Sequence, residues 1–253
     1  MEKIKIYVAM HKEATFPKDK IYVPIQVGSK GKKHITKVTD DKGENISSKN
    51  PNFCELTGTY WIWKNDKSDI VGLTHYRRYF FKDNANSLND VLSRDDVIDI
   101  LKDYDIIVPK KTYFIRYKSM KNAYKKLHKE KDLDECRNII MEKYPDYVDS
   151  FDEVMDGRSF YAFNMFISRK ELFDSYYEWL FDILFELESR IDISTYDDYN
   201  KRIFGFLSER LFNVWLKHQN LNIKEIVVYN SEEDFKKQDF KIKFTNLLFN
   251  RRR

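Results

Sequence analysis

Glycine is scarce in this chain, with seven residues in 253. None of them makes a Gly-x-Gly-x-x-Gly turn after an apolar run, so the dinucleotide-binding turn of a dehydrogenase has nothing to be built from. A Walker-type phosphate loop and a Gly-x-Ser-x-Gly nucleophile elbow are absent as well. Cysteine is scarcer still. Cys54 and Cys136 lie far apart without metal-ligand spacing, and each reads as a small buried residue of a reducing compartment rather than half of a disulfide. His11, His34, His75, His128 and His218 form no His-x-x-x-His pair, which leaves a zinc centre without ligands.

Long apolar runs are missing too. No stretch approaches the roughly 20 residues of a membrane span, and the start, Met1-Glu-Lys-Ile-Lys-Ile-Tyr-Val-Ala-Met, lacks the apolar core and cleavage site of a signal peptide. The expectation is a soluble, cytoplasmic protein. Charge of one sign is also lacking: 45 basic residues are interspersed with 41 acidic ones for a net +4, which is not the basic stripe of a nucleic-acid binder. The tail at about 235–253 is the local exception, mixing Phe and Leu with many cations. It suits the inner face of an anionic plasma membrane, and equally a final helix with a solvated basic end.

What the chain does have is apolar and aromatic mass. Hydrophobic residues make up 42% and aromatics 16%, enough for a core without disulfides or metal. Ile4 to Ala9, Ile21 to Gly28, Asp69 to Thr74, Asp105 to Pro109, Phe163 to Ile167 and Ile223 to Tyr229 read as strands. Asn50 as N-cap and Pro51 after it open a helix carrying Phe53, Leu56, Tyr60 and Trp63. Further helices are expected over 88–102, about 115–157, from a Ser168/Glu171 capping box to Glu188, and from Thr195 with Asp198 through Trp215. Lys30 to Lys49 reads as a polar loop. Strands alternating with helices predict an α/β fold, one domain over 1–253 with a helical insertion and a helical C-terminal part.

The apolar run Asp69 to Thr74 ends abruptly in His75-Tyr76-Arg77-Arg78-Tyr79. A strand that stops at such a cluster places cations at a sheet's carboxyl edge, where open α/β folds bind ligands. Arginine suits phosphate because its planar fork forms two parallel hydrogen bonds. One of the two is equally expected to brace the fold against Glu55 or Glu209, since neighbouring strand residues face opposite ways.

In this company the chain resembles a bacterial family long filed as a domain of unknown function. That family is found among capsular and exopolysaccharide biosynthesis proteins and treated as glycosyltransferases. The matching pieces are the His11-Lys12 turn, Tyr22-Val-Pro-Ile-Gln-Val-Gly28, Lys49-Asn-Pro-Asn-Phe-Cys-Glu55, Tyr60-Trp-Ile-Trp-Lys-Asn65, Gly72-Leu-Thr-His-Tyr-Arg-Arg-Tyr79, Asp105-Ile-Ile-Val-Pro-Lys110, Phe163-Asn-Met-Phe166 and Phe204-Gly-Phe-Leu-Ser-Glu-Arg210. The resemblance implies a GT-A-like mixed sheet flanked by helices. It also implies transfer of a sugar from a nucleotide-sugar donor, with UDP-hexose suggested by the biosynthetic context, to a growing and often lipid-linked surface glycan. A non-catalytic nucleotide- or carbohydrate-binding protein on the same scaffold is the alternative.

Glycosyl transfer needs a nucleotide pocket, positive charge on the departing diphosphate and a base for the acceptor hydroxyl. For the first two the candidates are His11, Lys12, Gln26, Gly28, Asn50, Asn52, Glu55, His75, Tyr76, Arg77, Arg78 and Asn164. For the base they are Glu209, Asp198 and Asp197, with Glu209 favoured for its apolar neighbours. No cofactor is expected. Manganese or magnesium would need an Asp-x-Asp, and neither Asp103-Tyr-Asp105 nor Asp132-Leu-Asp134 follows a strand. Trp61 and Trp63 read as core in preference to sugar platforms.

Overall fold

The structure, a computed structural model, describes residues 2–250. Eleven strands are present among them: β1 (Ile4–Met10), β2 (Tyr22–Gln26), β3 (Val38–Thr39), β4 (Ile70–His75), β5 (Arg78–Phe80), β6 (Ile106–Pro109), β7 (Thr112–Tyr113), β8 (Ser159–Phe160), β9 (Ile167–Arg169), β10 (Ile223–Ile226) and β11 (Val228–Asn230). The α-helices are α1 (Asn50–Phe53), α2 (Leu56–Asn65), α3 (Arg94–Asp103), α4 (Met120–Leu127), α5 (Glu130–Lys143), α6 (Val148–Asp156), α7 (Lys170–Arg190), α8 (Ile203–His218) and α9 (Phe235–Asn250).

The main sheet runs in the order β10-β6-β9-β4-β1-β2-β3, with β5 and β11 paired beside the end of β4. β1 is parallel to β2 and β4, and β10 is parallel to β6. β9 lies antiparallel between β4 and β6. Strand periodicity divides the core into two layers. Tyr7, Ala9, Val71, Leu73, Ile106 and Val108 face α7, α8 and the other helices of one side. Ile6, Val8, Met10, Ile70 and Ile107 face α3, β5 and β11 on the other. Burial on both faces explains why these strands read as continuous apolar runs. Gly72 lets β9 approach β4, because a Cβ there would stand 2.6 Å from Ile167 Cγ1.

Several local expectations are corrected. The helix expected from Asn50 is broken at Cys54, whose φ of 52° and ψ of −132° separate α1 from α2. Asn50 is not its cap; that position is Lys49, and the Asn50 amide instead donates to Cys54 O at 2.7 Å. Ser168 sits in β9 with its hydroxyl on Arg169 O, so no capping box opens α7. The expected strand from Phe163 begins only at Ile167, and Phe163 and Asn164 form a left-handed turn before it. The loop after β2 contains β3 and is organised by Asp40, fully buried, which accepts from Gly28 N, Ser29 N and the Ser29 and Ser47 hydroxyls.

Candidate functional site

β1 and β4 are parallel, Ala9 pairs with His75, and both strands stop at the same edge. After β1 the chain moves outward through β2 and β3, then returns to place β4 on β1's other flank. That reversal is a topological switch point, where strand connections diverge and leave a crevice. Because β9 is antiparallel, its lead-in turn arrives at this edge too, and the start of α8 closes the far wall. The result is a cleft of about 480 Å³. It is lined by His11, His75, Tyr76, Arg77 and Arg78 from the strand ends, by Asn50, Cys54 and Glu55 around α1, and by Phe163, Arg202 and Glu209 opposite.

The cleft is tied together by long-range polar bonds. His75 Nε2 donates to Phe163 O at 2.8 Å, the carbonyl fixing which ring nitrogen carries the proton. Phe163 N–H in turn donates to Glu209 Oε1 at 2.9 Å. The next residue, Asn164, donates through Nδ2 to Glu55 Oε1 at 2.8 Å. Phe163 and Asn164 hold φ values of 78° and 51°, a region that costs non-glycine residues and that persists where surroundings over-determine it. Here the pair aims a carbonyl, an N–H and an amide at three different cleft side chains. Gly205 helps to bring the two glutamates together: a Cβ there would lie 3.2 Å from Cys54 Sγ, so its absence lets α1 sit close on α8.

Electrostatically the cleft opposes arginines to carboxylates. Burial pushes the Glu209 carboxyl above its usual range and Glu55 adds to this, while Arg210 and the Phe163 N–H pull the other way. Its side chain is hemmed in by protein yet keeps 23% of its surface open, so it is poorly hydrated and still reachable. Burial lowers Arg78, and the neighbouring charge of Arg77 lowers it further. Arg78 lies over the Phe163 ring, 4.9 Å from its centroid. Arg77 is more open, with its nearest acid, Glu232, at 3.9 Å. Arg202 Nε donates to Cys54 Sγ at 3.3 Å. Burial dominates at Cys54 and raises its thiol, which argues against a thiolate nucleophile. Burial, then Lys12, Arg77 and Lys32, lowers His11.

Of the residues singled out from sequence, His11, Asn50, Glu55, His75, Tyr76, Arg77, Arg78 and Glu209 line the cleft. Others serve elsewhere. Gln26 is buried and spends its amide on Lys33 O and Ile35 N, bracing the loop after β2. Gly28 makes room for Asn50 rather than for a ligand, since a Cβ would lie 2.3 Å from Asn50 Oδ1. Asn52 holds Lys201 O at 2.9 Å, and Lys12 is an exposed cation 5.1 Å from the Tyr76 ring centre. Asn164 stands one residue behind the wall, on Glu55. The acids Asp197 and Asp198 stand outside the cleft lining: Asp197 accepts from Asn200 N before α8, and Asp198 is fully exposed, 3.7 Å from Lys201. Sequence reasoning gives no role to Arg202, Cys54 or Phe163. Cys54 is visible in the Asn-Pro-Asn-Phe-Cys-Glu motif, but Arg202 has no local signal.

The described residues offer a divalent metal few ligands in this cleft. Among the described residues no three His, Cys, Asp or Glu side chains converge to hold an ion. Asp105 accepts from Asn222 N ahead of β6, and Asp132 is buried against Tyr196, so neither Asp-x-Asp reaches the cleft. Glu55 and Glu209 alone are a thin donor set for a hard cation. No helix among the described residues is long and apolar enough to cross a membrane.

The apo structure of the bifunctional glycosyltransferase WbbM superimposes with a TM-score of 0.84 and 31% identity over 92% of this chain. The match takes in 46% of that protein, so this chain spans about half its length. No curated protein matches the chain. The mixed sheet flanked by helices is therefore a fold shared with a glycosyltransferase. Residues 5–220 match the model of a domain of unknown function, DUF4422, and the chain belongs to that family.

Proposed function

We propose that this chain is a glycosyltransferase that moves a hexosyl group from a nucleotide-sugar donor, UDP-hexose first among those to test, to a growing surface glycan. The observation that carries the reading is the meeting of Arg77, Arg78 and Arg202 with the poorly hydrated Glu209 in one cleft at the switch point. The glycosyltransferase of the same fold supports it. In this reading the arginines hold the donor diphosphate and take up the charge that develops as its bond to the anomeric carbon breaks. Glu209 accepts the proton of the acceptor hydroxyl as that oxygen forms the new bond. Its raised proton affinity makes it a better base than an exposed glutamate. A single displacement of this kind inverts the anomeric centre. His75 and Asn164 are positioning residues, one fixing the Phe163 turn and the other Glu55. No step is assigned to a metal.

The glycan is lipid-linked in this reading, and α9 is suited to meet the inner face of the membrane that carries it. Phe240, Phe244 and Leu247 are exposed at positions i, i+4 and i+7. At 100° per residue Lys236 and Lys243 fall on one side of that stripe and Lys237 and Lys241 on the other, an arrangement that buries apolar side chains between cations facing lipid phosphates.

The deciding experiment incubates the protein with a panel of nucleotide sugars and follows both thermal stabilisation and release of the nucleoside diphosphate in the presence of glycan acceptors. Stabilisation by one donor together with acceptor-dependent release is expected. Stabilisation without release from any donor would instead indicate a binding protein, and neither would end the nucleotide-sugar reading.

A further inference from the structure

Beyond Arg202 the cleft wall continues into an aromatic surface that the donor site does not use. The Arg202 guanidinium lies 5.5 Å from the centre of the Phe206 ring, and Tyr199 lies 4.9 Å from Phe206. His128 completes the group, 4.2 Å from Phe206 and stacked 12° from the plane of Tyr199 at 5.7 Å. Tyr199 is 51% exposed although the rings of His128 and Phe206 pack against it. Burial, then the charge of Arg210, lowers His128 to about 4, so at neutral pH its ring is an uncharged support. Around this face stand polar groups: Asp198, fully exposed, Lys201, and the Asn200 amide, which is held by Asp197 and His128 Nδ1.

An exposed aromatic face with a polar rim matches one class of ligand well. A pyranose ring offers axial C–H groups of partial positive charge on one face, which seat against the negative face of an aromatic ring, while its hydroxyls reach outward to amides and carboxylates. We propose that Tyr199, supported by Phe206 and His128, binds a hexopyranose of the acceptor glycan and aligns the chain's end with the cleft past Arg202. This rests on the transferase reading for the identity of the ligand, and on continuity with the cleft for its direction.

The test separates the two ideas. Saturation-transfer NMR with a panel of soluble hexopyranose di- and trisaccharides, without donor, should saturate the C–H protons of one sugar ring in the wild type. The signal should vanish in Tyr199→Ala and return in Tyr199→Trp. In transfer assays Tyr199→Ala should raise the acceptor KM about tenfold, the effect of removing one stacked ring, and leave the donor KM unchanged. Equal saturation of wild type and Tyr199→Ala, no saturation by any sugar, or an acceptor KM indifferent to Tyr199→Ala would overturn the platform. Saturation in the wild type and none in Tyr199→Ala, from a protein that transfers from no donor, would refute the transferase reading and uphold the platform.

Discussion

Replacing Arg78 by alanine removes a half-buried guanidinium that forms no ion pair among the described residues and rests on the face of Phe163. Its structural role is correspondingly small. The cation–π interaction is worth about 0.5–1 kcal/mol, which for a chain of this size moves Tm by about 1–4 °C. Its role toward a diphosphate is larger, because burial and Arg77 already strain its hydration and a bound anion relieves both penalties. A charge-assisted hydrogen bond contributes about 1.5–3 kcal/mol, so Arg78→Ala should weaken UDP binding roughly 10- to 150-fold. Arg78→Lys keeps the charge, loses the fork and should fall between. Arg77→Ala should cost less, since 40% of that side chain is exposed to screening solvent. Calorimetric titration of UDP into each variant, with Tm measured alongside, gives both quantities. Arg78→Ala binding UDP within threefold of wild type, or losing affinity only in step with a collapse of Tm, would refute the phosphate role.

Glu209→Gln should lower kcat by about 10²–10⁴, the range for loss of a general base, and retain UDP affinity; equal kcat would remove Glu209 from the chemistry. Because its carboxyl is held above the ordinary 4.5, the active base form fills only as pH rises past that raised value, so kcat/KM should fall on the acid side at a pH above 4.5 in wild type and lose that limb in Glu209→Gln. Transfer should persist in EDTA after dialysis, and loss with recovery on added manganese would show a metal held by carboxylates beyond Glu55 and Glu209. Serine at Phe240, Phe244 and Leu247 together should abolish sedimentation with phosphatidylglycerol vesicles at unchanged Tm, as these side chains are exposed; undiminished sedimentation would assign α9 another task.

The parts of the fold legible in the sequence are those with a repeating local cause. β1, β4 and β6 are apolar on both faces because helices cover one layer and β5, β11 and α3 the other, and such runs announce themselves. What misleads is punctuation. Asn-Pro-Asn looks like a cap and first turn, yet the helix breaks at Cys54 ahead of Glu55, and the Asn50 amide joins Thr57 in donating to the Cys54 carbonyl at this break. Ser168 and Thr195 carry capping patterns that backbone pairing in β9 and the 3-10 turn before α8 override. A hydroxyl three residues ahead of an acid is a preference worth about 1 kcal/mol, and strand pairing at a buried edge outweighs it.

The site divides along the same line. His75, Arg77 and Arg78 are legible because they end an apolar strand, and a strand's end fixes where its next residues go. Glu209 is legible from its apolar neighbours, which appear in the structure as the burial that raises it. Arg202 is not, and the reason is separation: the bonds that close the cleft join residues 46, 88, 109 and 148 positions apart. Each depends on a helix or turn arriving from elsewhere, and periodicity carries no information about such arrivals. The Phe163–Asn164 turn is the sharpest case. Its residues read as strand, and their left-handed backbone exists only because Glu209, His75 and Glu55 each take one of its polar groups. Removing that support should therefore cost more than one hydrogen bond: Asn164→Ala frees Glu55 and relaxes a turn that also orients Glu209, so kcat should fall while UDP affinity, set chiefly by Arg77 and Arg78 at the strand ends, holds. A loss of UDP affinity as large as the loss of kcat would mean that the turn shapes the whole cleft and not its acidic side alone.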